Sequence, residues 1–137
     1  MEVRELGLSG LLEVVPRRLG DDRGYFAEVW REDRFGSLAG EVGFVQENQS
    51  LSGRVGTVRG LHFQSHPAGQ GKLVRCTQGA ILDVAVDIRH DSPTFGQWIG
   101  VELTPEKLDK VLSELPADPN DYKDPTITWD EKRSNGH

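Results

Sequence analysis

The segment Arg59-Gly60-Leu61-His62-Phe63-Gln64 sets a guanidinium and an imidazole three positions apart, with a glycine between them. A planar guanidinium binds phosphate oxygens in pairs, and an imidazole can take a proton from a reacting carbon. On a regular strand this odd separation points the two side chains to opposite faces. The pair therefore meets only if the backbone leaves regular pleating, and Gly60 can supply such a bulge. Lys72 and Asp83 form a second pair. Gln78, Gly79 and Ala80 predict a compact hairpin between their segments, which would bring the ammonium near the carboxylate. From there Asp83 could orient the His62 imidazole, although a cross-strand or capping hydrogen bond explains it equally well. His66 stands four residues after His62 and invites a metal-site reading. No His-x-His pair and no later third histidine accompany it, so the expectation is no metal.

Such groups need rigid elements to hold them. Sixteen glycines and seven prolines punctuate short segments rich in Val, Ile, Leu and aromatics, which is all-β spacing. The clearest strand is predicted over Ile81 to Arg89, with Leu82, Val84, Val86 and Ile88 on one face and Asp83, Ala85 and Asp87 on the other. The half-polar second face suggests the lining of a cavity. Further strands are predicted at Leu11 to Pro16, Tyr25 to Trp30, Phe44 to Ser50, Gly56 to Gln64, Lys72 to Gln78 and Gln97 to Leu103. A short helix is expected at Glu32 to Leu38. A second is expected over 104–116, where Thr104 suits the N-cap, Pro105 the first helical position, and Leu108, Val111, Leu112 and Leu115 recur at helical spacing. Residues 117–137 read as an irregular tail. Seven or eight short strands predict one all-β domain, a jelly roll or barrel.

At 137 residues and 36% apolar content, the chain predicts a single core. Sixteen basic and 22 acidic residues give a net charge of -6 with the signs interspersed, which argues against a nucleic-acid partner. One cysteine, Cys76, permits neither an intramolecular disulfide nor a cysteine zinc cage and fits a reducing cytoplasm. The N-terminus lacks the apolar run of a signal peptide, and no stretch is long and apolar enough for a membrane helix.

Several motifs occur in order: G-D-D-R-G-Y-F at Gly20 to Phe26, F-V-Q-E-N at Phe44 to Asn48, R-G-L-H-F-Q at Arg59 to Gln64, G-K-L-V-R-C at Gly71 to Cys76, D-V-A-V-D-I-R at Asp83 to Arg89, and S-P-T-F-G-Q-W at Ser92 to Trp98. From about residue 9 to 103 the chain resembles the dTDP-4-dehydrorhamnose 3,5-epimerase family. The resemblance implies a cupin-like jelly-roll β-barrel, acting without a cofactor as a homodimer on a dTDP-sugar. It implies His62 as the general base that removes protons from carbons flanking a ketone, and Lys72 as the cation over the developing enolate oxygen. It places Arg23 and Arg59 at the substrate diphosphate, and Phe26, Glu28, Gln46 and Asn48 at the nucleotide or sugar. Tyr122-Lys123 resembles the family's tyrosine-lysine pair, which makes Tyr122 the candidate acid. The family's P-E-G-F-A-H-G-F type segment is absent, and loss of strands would leave the barrel incomplete. Two other readings fit the same residues: a dTDP-sugar-binding module without turnover, and a metal-dependent cupin using His62, His66 and Asp83.

Overall fold

Strand β2, Leu11–Val15, shows how the fold is laid out. Its side chains alternate, so Leu11 and Glu13 point to one side, and Leu12 and Val14 to the other. Leu11 and Val14 are both buried, in two separate apolar clusters, so the sheet containing β2 is covered on both faces.

The computed structural model describes residues 1–39, 43–65, 67–107 and 110–113. In chain order these form β1 (Glu2–Glu5), β2, β3 (Arg18–Asp21), β4 (Gly24–Ala27), α1 (Glu32–Ala39), β5 (Lys72–Arg75), β6 (Ile81–Val86), β7 (Trp98–Leu103) and β8 (Lys110–Ser113). A four-stranded sheet has the order β1-β2-β8-β5, while β3-β4 and β6-β7 form two-stranded sheets. Every pairing is antiparallel. The described residues are thus mostly β with one short helix, and they form no closed barrel. Among them no helix is long and apolar enough to cross a membrane.

The first cluster, Leu8, Leu11, Cys76, Leu103 and Val111 with Val74, Ala85, Ile99 and Val101 packed on it, lies between the four-stranded sheet and the β6-β7 sheet. The second, Val14 and Phe35 with Val3, Leu12, Phe44 and Leu73, seats α1 on the opposite face. Trp30 completes that seat, with its ring centroid 4.6 Å from Phe35 and 5.3 Å from Phe44.

Four expectations are corrected. The helix expected over 104–116 is a single turn followed by β8. Thr104 does cap that turn, accepting the Lys107 N–H at 3.4 Å. Beyond it, residues 110–113 fill the gap between β2 and β5, gaining backbone ladders on both sides and burying Val111. Two ladders outweigh a helical repeat whose propensity is worth only tenths of a kcal/mol per residue. The strands expected at Phe44 to Ser50 and Gly56 to Gln64 are irregular, because no described strand offers those residues a backbone partner. The hairpin expected at Gln78 to Ala80 is a crossover: β5 pairs with β8, and β6 with β7. The strand ends read at Gln78 and Arg89 fall earlier, at Arg75 and Val86. The helix at Glu32 to Leu38 is observed as α1. Residues 114–137, including the rest of the expected helix and the tail, lie outside the described residues.

Asp87 fixes the link from β6 to β7. Its carboxylate is buried and accepts from Arg89 Nε at 2.8 Å and Nη2 at 2.7 Å, from the Ser92 and Thr94 hydroxyls at 2.6 Å each, and from the Arg89 N–H at 3.0 Å. Burial pushes its pKa up, but the Arg89 guanidinium and the two hydroxyls outweigh burial and hold it far below the usual carboxylate range. Because the folded pKa is depressed, this stabilisation is complete above the unfolded value of about 4 and is lost as pH falls through the folded value. Asp87→Ala is expected to cost roughly 3 kcal/mol at neutral pH by removing the buried acceptor that the Arg89 guanidinium and the two hydroxyls share. It should also flatten the acid side of the stability profile, as measured by urea unfolding between pH 2 and 7. A parallel downward shift at every pH would contradict this account.

Candidate functional site

Alternation on β5 and β6 decides where the chemically competent side chains point. Val74 of β5 and Ala85 of β6 both pack on the cluster between the facing sheets. Lys72, two residues before Val74, and Asp83, two before Ala85, share those inward faces at one end of the layer. Both are half-buried. Burial pushes the Asp83 carboxyl above its ordinary pKa, and the nearby positive charge of Lys72 opposes that rise. The Lys72 ammonium also donates to the His62 carbonyl at 3.2 Å. Lys72 therefore ties the Arg59-to-Gln64 segment to the end of the facing sheets.

Gly60 shapes that segment. Its φ of +104° lies in the region that favours glycine, and a β-carbon there would stand 3.4 Å from both the backbone nitrogen and Nδ1 of His62. The imidazole folds back over the space a side chain would occupy. The bend expected at Gly60 is present, but in an irregular segment rather than as a bulge in a strand. Arg59 donates to the Ser52 hydroxyl at 3.1 Å and to the Leu51 carbonyl at 3.3 Å, which anchors the neighbouring loop. Gln46 donates its side-chain amide to Asn48 at 3.1 Å, so these two candidates form one polar unit.

The β3-β4 hairpin carries the other candidates. Asp21 grips the Arg23 guanidinium through Nε and Nη2 and also accepts its backbone N–H at 2.9 Å. The contact lowers the Asp21 pKa and raises that of Arg23. Phe26 is 70% exposed and Tyr25 is stacked under Arg18, whose guanidinium carbon lies 5.0 Å from the ring centre. Glu28 follows the hairpin and pairs with Arg34 at 3.2 Å and Arg31 at 3.5 Å. Those two arginines were not singled out in the sequence. Their signal was the repeat of Glu28, Arg31 and Arg34 at three-residue intervals, leading from the segment after β4 into α1. Tyr122 and His66 lie outside the described residues. Among the described residues, no three His, Cys, Asp or Glu side chains are grouped to hold a metal ion.

The arrangement of facing antiparallel sheets superposes on a set of solved structures. A crystal structure of dTDP-4-dehydrorhamnose 3,5-epimerase from Bacillus anthracis with TDP and PPi bound superposes with a TM-score of 0.79 at 43% identity, covering 82% of this chain and 65% of that one. A dTDP-6-deoxy-D-glucose-3,5-epimerase from Legionella pneumophila in complex with dTDP-4-keto-L-rhamnose gives 0.75 at 42% identity, covering 82% and 59%. Among curated sequences, the dTDP-4-dehydrorhamnose 3,5-epimerase of Sinorhizobium fredii is 54% identical over 106 residues, 77% of this chain and 54% of that protein. That of Escherichia coli K12 is 47% identical over 112 residues, 81% and 60%. The family model described as dTDP-4-dehydrorhamnose 3,5-epimerase matches residues 5–113. The chain belongs to the dTDP-4-dehydrorhamnose 3,5-epimerase family. It spans little more than half the length of these curated relatives.

The raised pKa of Asp83 carries a sign. A carboxyl whose folded pKa lies above its unfolded value binds its proton more tightly in the folded state, so folding loses stability as pH rises through that folded value. Asp83→Asn removes the ionisation and is expected to raise the urea midpoint at neutral pH. The gain should vanish below about pH 4, where Asp83 is protonated in both states. An equal gain at all pH values would show that packing, not charge, limits this site.

Proposed function

We propose that this chain carries out or supports epimerisation of dTDP-4-dehydro-6-deoxyglucose at one or both carbons flanking the ketone, in dTDP-rhamnose or related deoxysugar biosynthesis. The observation that carries the reading is the joining of His62, Lys72 and Asp83 at one end of the facing sheets, within the span that matches the family. The bound molecules described for the Bacillus and Legionella structures, TDP and dTDP-4-keto-L-rhamnose, supply the substrate class.

In this reading the His62 imidazole takes the proton from a carbon beside the C4 ketone. The electrons of the broken C–H bond move into the carbonyl, giving an enolate. The Lys72 ammonium, half-buried where its charge is weakly screened, stabilises the oxygen that becomes negative. Asp83 faces Lys72 and holds that cation toward the site. An acid on the opposite face then delivers a proton to the same carbon and inverts it, a role assigned here to Tyr122. The chemistry moves only protons and needs no cofactor.

Binding divides between two surfaces. Arg23 and Arg59 would take the diphosphate, Phe26 would lie against the base or sugar ring, and Glu28, Gln46 and Asn48 would supply polar contacts to nucleotide and sugar. We place the protein in the cytoplasm and assign it a cupin-like jelly-roll barrel, incomplete in this chain, that works as a homodimer. Leu19, Tyr25, Leu51, Val58 and the 99%-exposed Val45 leave apolar surface that a second copy would cover. Light scattering is expected to give twice the mass of one chain, and a single-chain mass at all concentrations would remove the dimer from the proposal.

The decisive test is deuterium exchange into dTDP-4-keto-6-deoxyglucose in heavy water, followed by NMR. Enzyme-dependent exchange is expected, with loss of roughly 100-fold or more in His62→Ala. Inverted product would establish the acid as well. Exchange without inversion would remove Tyr122 from its role, and binding without exchange would leave a nucleotide-sugar-binding module.

A further inference from the structure

The two arginines assigned to the diphosphate are held in different ways. Arg23 is gripped by the Asp21 carboxylate, which offsets part of its charge. Arg59 is held by neutral oxygens alone: its Nε donates to the Ser52 hydroxyl at 3.1 Å and its Nη2 to the Leu51 carbonyl at 3.3 Å. Among the described residues no carboxylate pairs with Arg59, whereas Arg4, Arg23, Arg31, Arg34 and Arg89 each have one. Both Arg59 contacts use the side edge of the guanidinium. The end edge, Nη1 with the second N–H of Nη2, stays open as a planar fork of two donors.

These contacts close the neck of the loop that leads into the Arg59-to-Gln64 segment. Within the loop the Thr57 N–H and hydroxyl both donate to the Arg54 carbonyl, at 3.4 and 2.7 Å, so the chain turns back before it reaches Arg59. Beyond Gly60, Lys72 holds the His62 carbonyl at 3.2 Å. Arg59 and His62 thus flank the glycine with separate anchors, Arg59 on residues before the turn and His62 on β5. A free arginine stem samples many rotamers, and fixing it in advance removes that entropy from the cost of binding a ligand.

We propose that Ser52 is a positioning residue for the diphosphate contact: its hydroxyl, with the Leu51 carbonyl, fixes the Arg59 guanidinium by one edge and leaves the other for the ligand. This rests on the function proposed above, in which Arg59 takes the diphosphate. Neutral acceptors suit the task. A carboxylate in place of Ser52 would hold the cation firmly but compete with phosphate for its charge and its donors, whereas a hydroxyl and a carbonyl orient it without neutralising it. Ser52 needs no contact with the ligand itself. Its effect therefore belongs to the part of the affinity that comes from phosphate, and not to the part that comes from the nucleoside.

The test compares dTDP with thymidine, the same nucleoside without phosphates, on the full chain, with dTDP measured by calorimetry and thymidine as a competitor against it. The wild-type protein is expected to prefer dTDP, and Ser52→Ala to lower the ratio of the two affinities about fivefold with thymidine unchanged. Ser52→Thr keeps the hydroxyl and should hold the ratio near its wild-type value. Arg59→Ala should lower the ratio further, and adding Ser52→Ala to it should then change nothing. Ser52 is exposed and lies outside every strand, so its variants are expected to fold. An unchanged ratio in Ser52→Ala, parallel loss of both affinities as from a disturbed loop, a Ser52→Thr variant that behaves like Ser52→Ala, or an additive loss in the double variant would each overturn the proposal. So would a wild-type protein that binds dTDP no better than thymidine. A wild-type protein that binds no dTDP would instead overturn the function on which the proposal rests.

Discussion

The insertion of β8 between β2 and β5 is the contact on which the other arrangements depend. β2 pairs with β1 on one side, and only through β8 does the N-terminal pair reach the strand that carries Lys72. The join links residues near positions 12, 73 and 111, so most of the chain must be gathered before its hydrogen bonds form. Loop closure of that length costs only a few kcal/mol more than a short turn, but it must be met before any contact repays it. Val111 supplies part of the return, buried in the cluster where the four-stranded sheet meets β6 and β7. A change at β8 would therefore be felt at Lys72 without touching it.

That same layer explains why Lys72 and Asp83 face each other. Apolar partners fill the middle of the layer, and the polar pair lies where the apolar filling gives way at one end. Burial there raises the cost of an ionised Asp83, and Lys72 offsets part of it. Such a pair is poor value for stability, because desolvation competes with attraction. What it offers the proposed reaction is a fixed positive charge in partly screened surroundings, the requirement for stabilising a charge that appears only as the proton leaves. Asp87, by contrast, is fully satisfied by its own loop and serves the turn that aligns β6 with β7.

Strands β2, β5, β6 and β7 were legible as short apolar segments between turn residues, and on β6 the alternation also separated Asp83 and Ala85 from Leu82 and Val84. They led to the proximity of Lys72 and Asp83, although through a hairpin that is really a crossover between sheets. The segment at β8 was misread because Val111 and Leu112 satisfy a helical repeat and a strand alike. What decides between them is a gap between β2 and β5 that no local pattern records. The apolar residues of 44–64 suggested strands for a related reason: alternation shows that side chains want cover, not that a neighbouring backbone exists. The charge network of Glu28, Arg31, Asp33 and Arg34 was written in plain spacing. Such runs are usually a solvated helix face, and only the burial of one oxygen atom separates this case from that one.

A physical contrast runs through the candidate site. His62 and Lys72 are tied to the covered end of a packed layer, whereas Arg23, Phe26, Gln46 and Asn48 stand on segments exposed on most sides. A two-stranded hairpin such as β3-β4 is marginal in water by itself, and here it presents Leu19, Tyr25 and Phe26 outward. Local bonds from Asp21 to Arg23 and the stacking of Arg18 on Tyr25 shape the hairpin but bury little. Lys72 is thus held by the core and His62, itself exposed, is tied to it through its backbone carbonyl, while the groups proposed to hold substrate stand on exposed segments. In the proposed function these groups would gain affinity only when those segments are covered, although Glu28 is already paired with Arg31 and with Arg34 of α1.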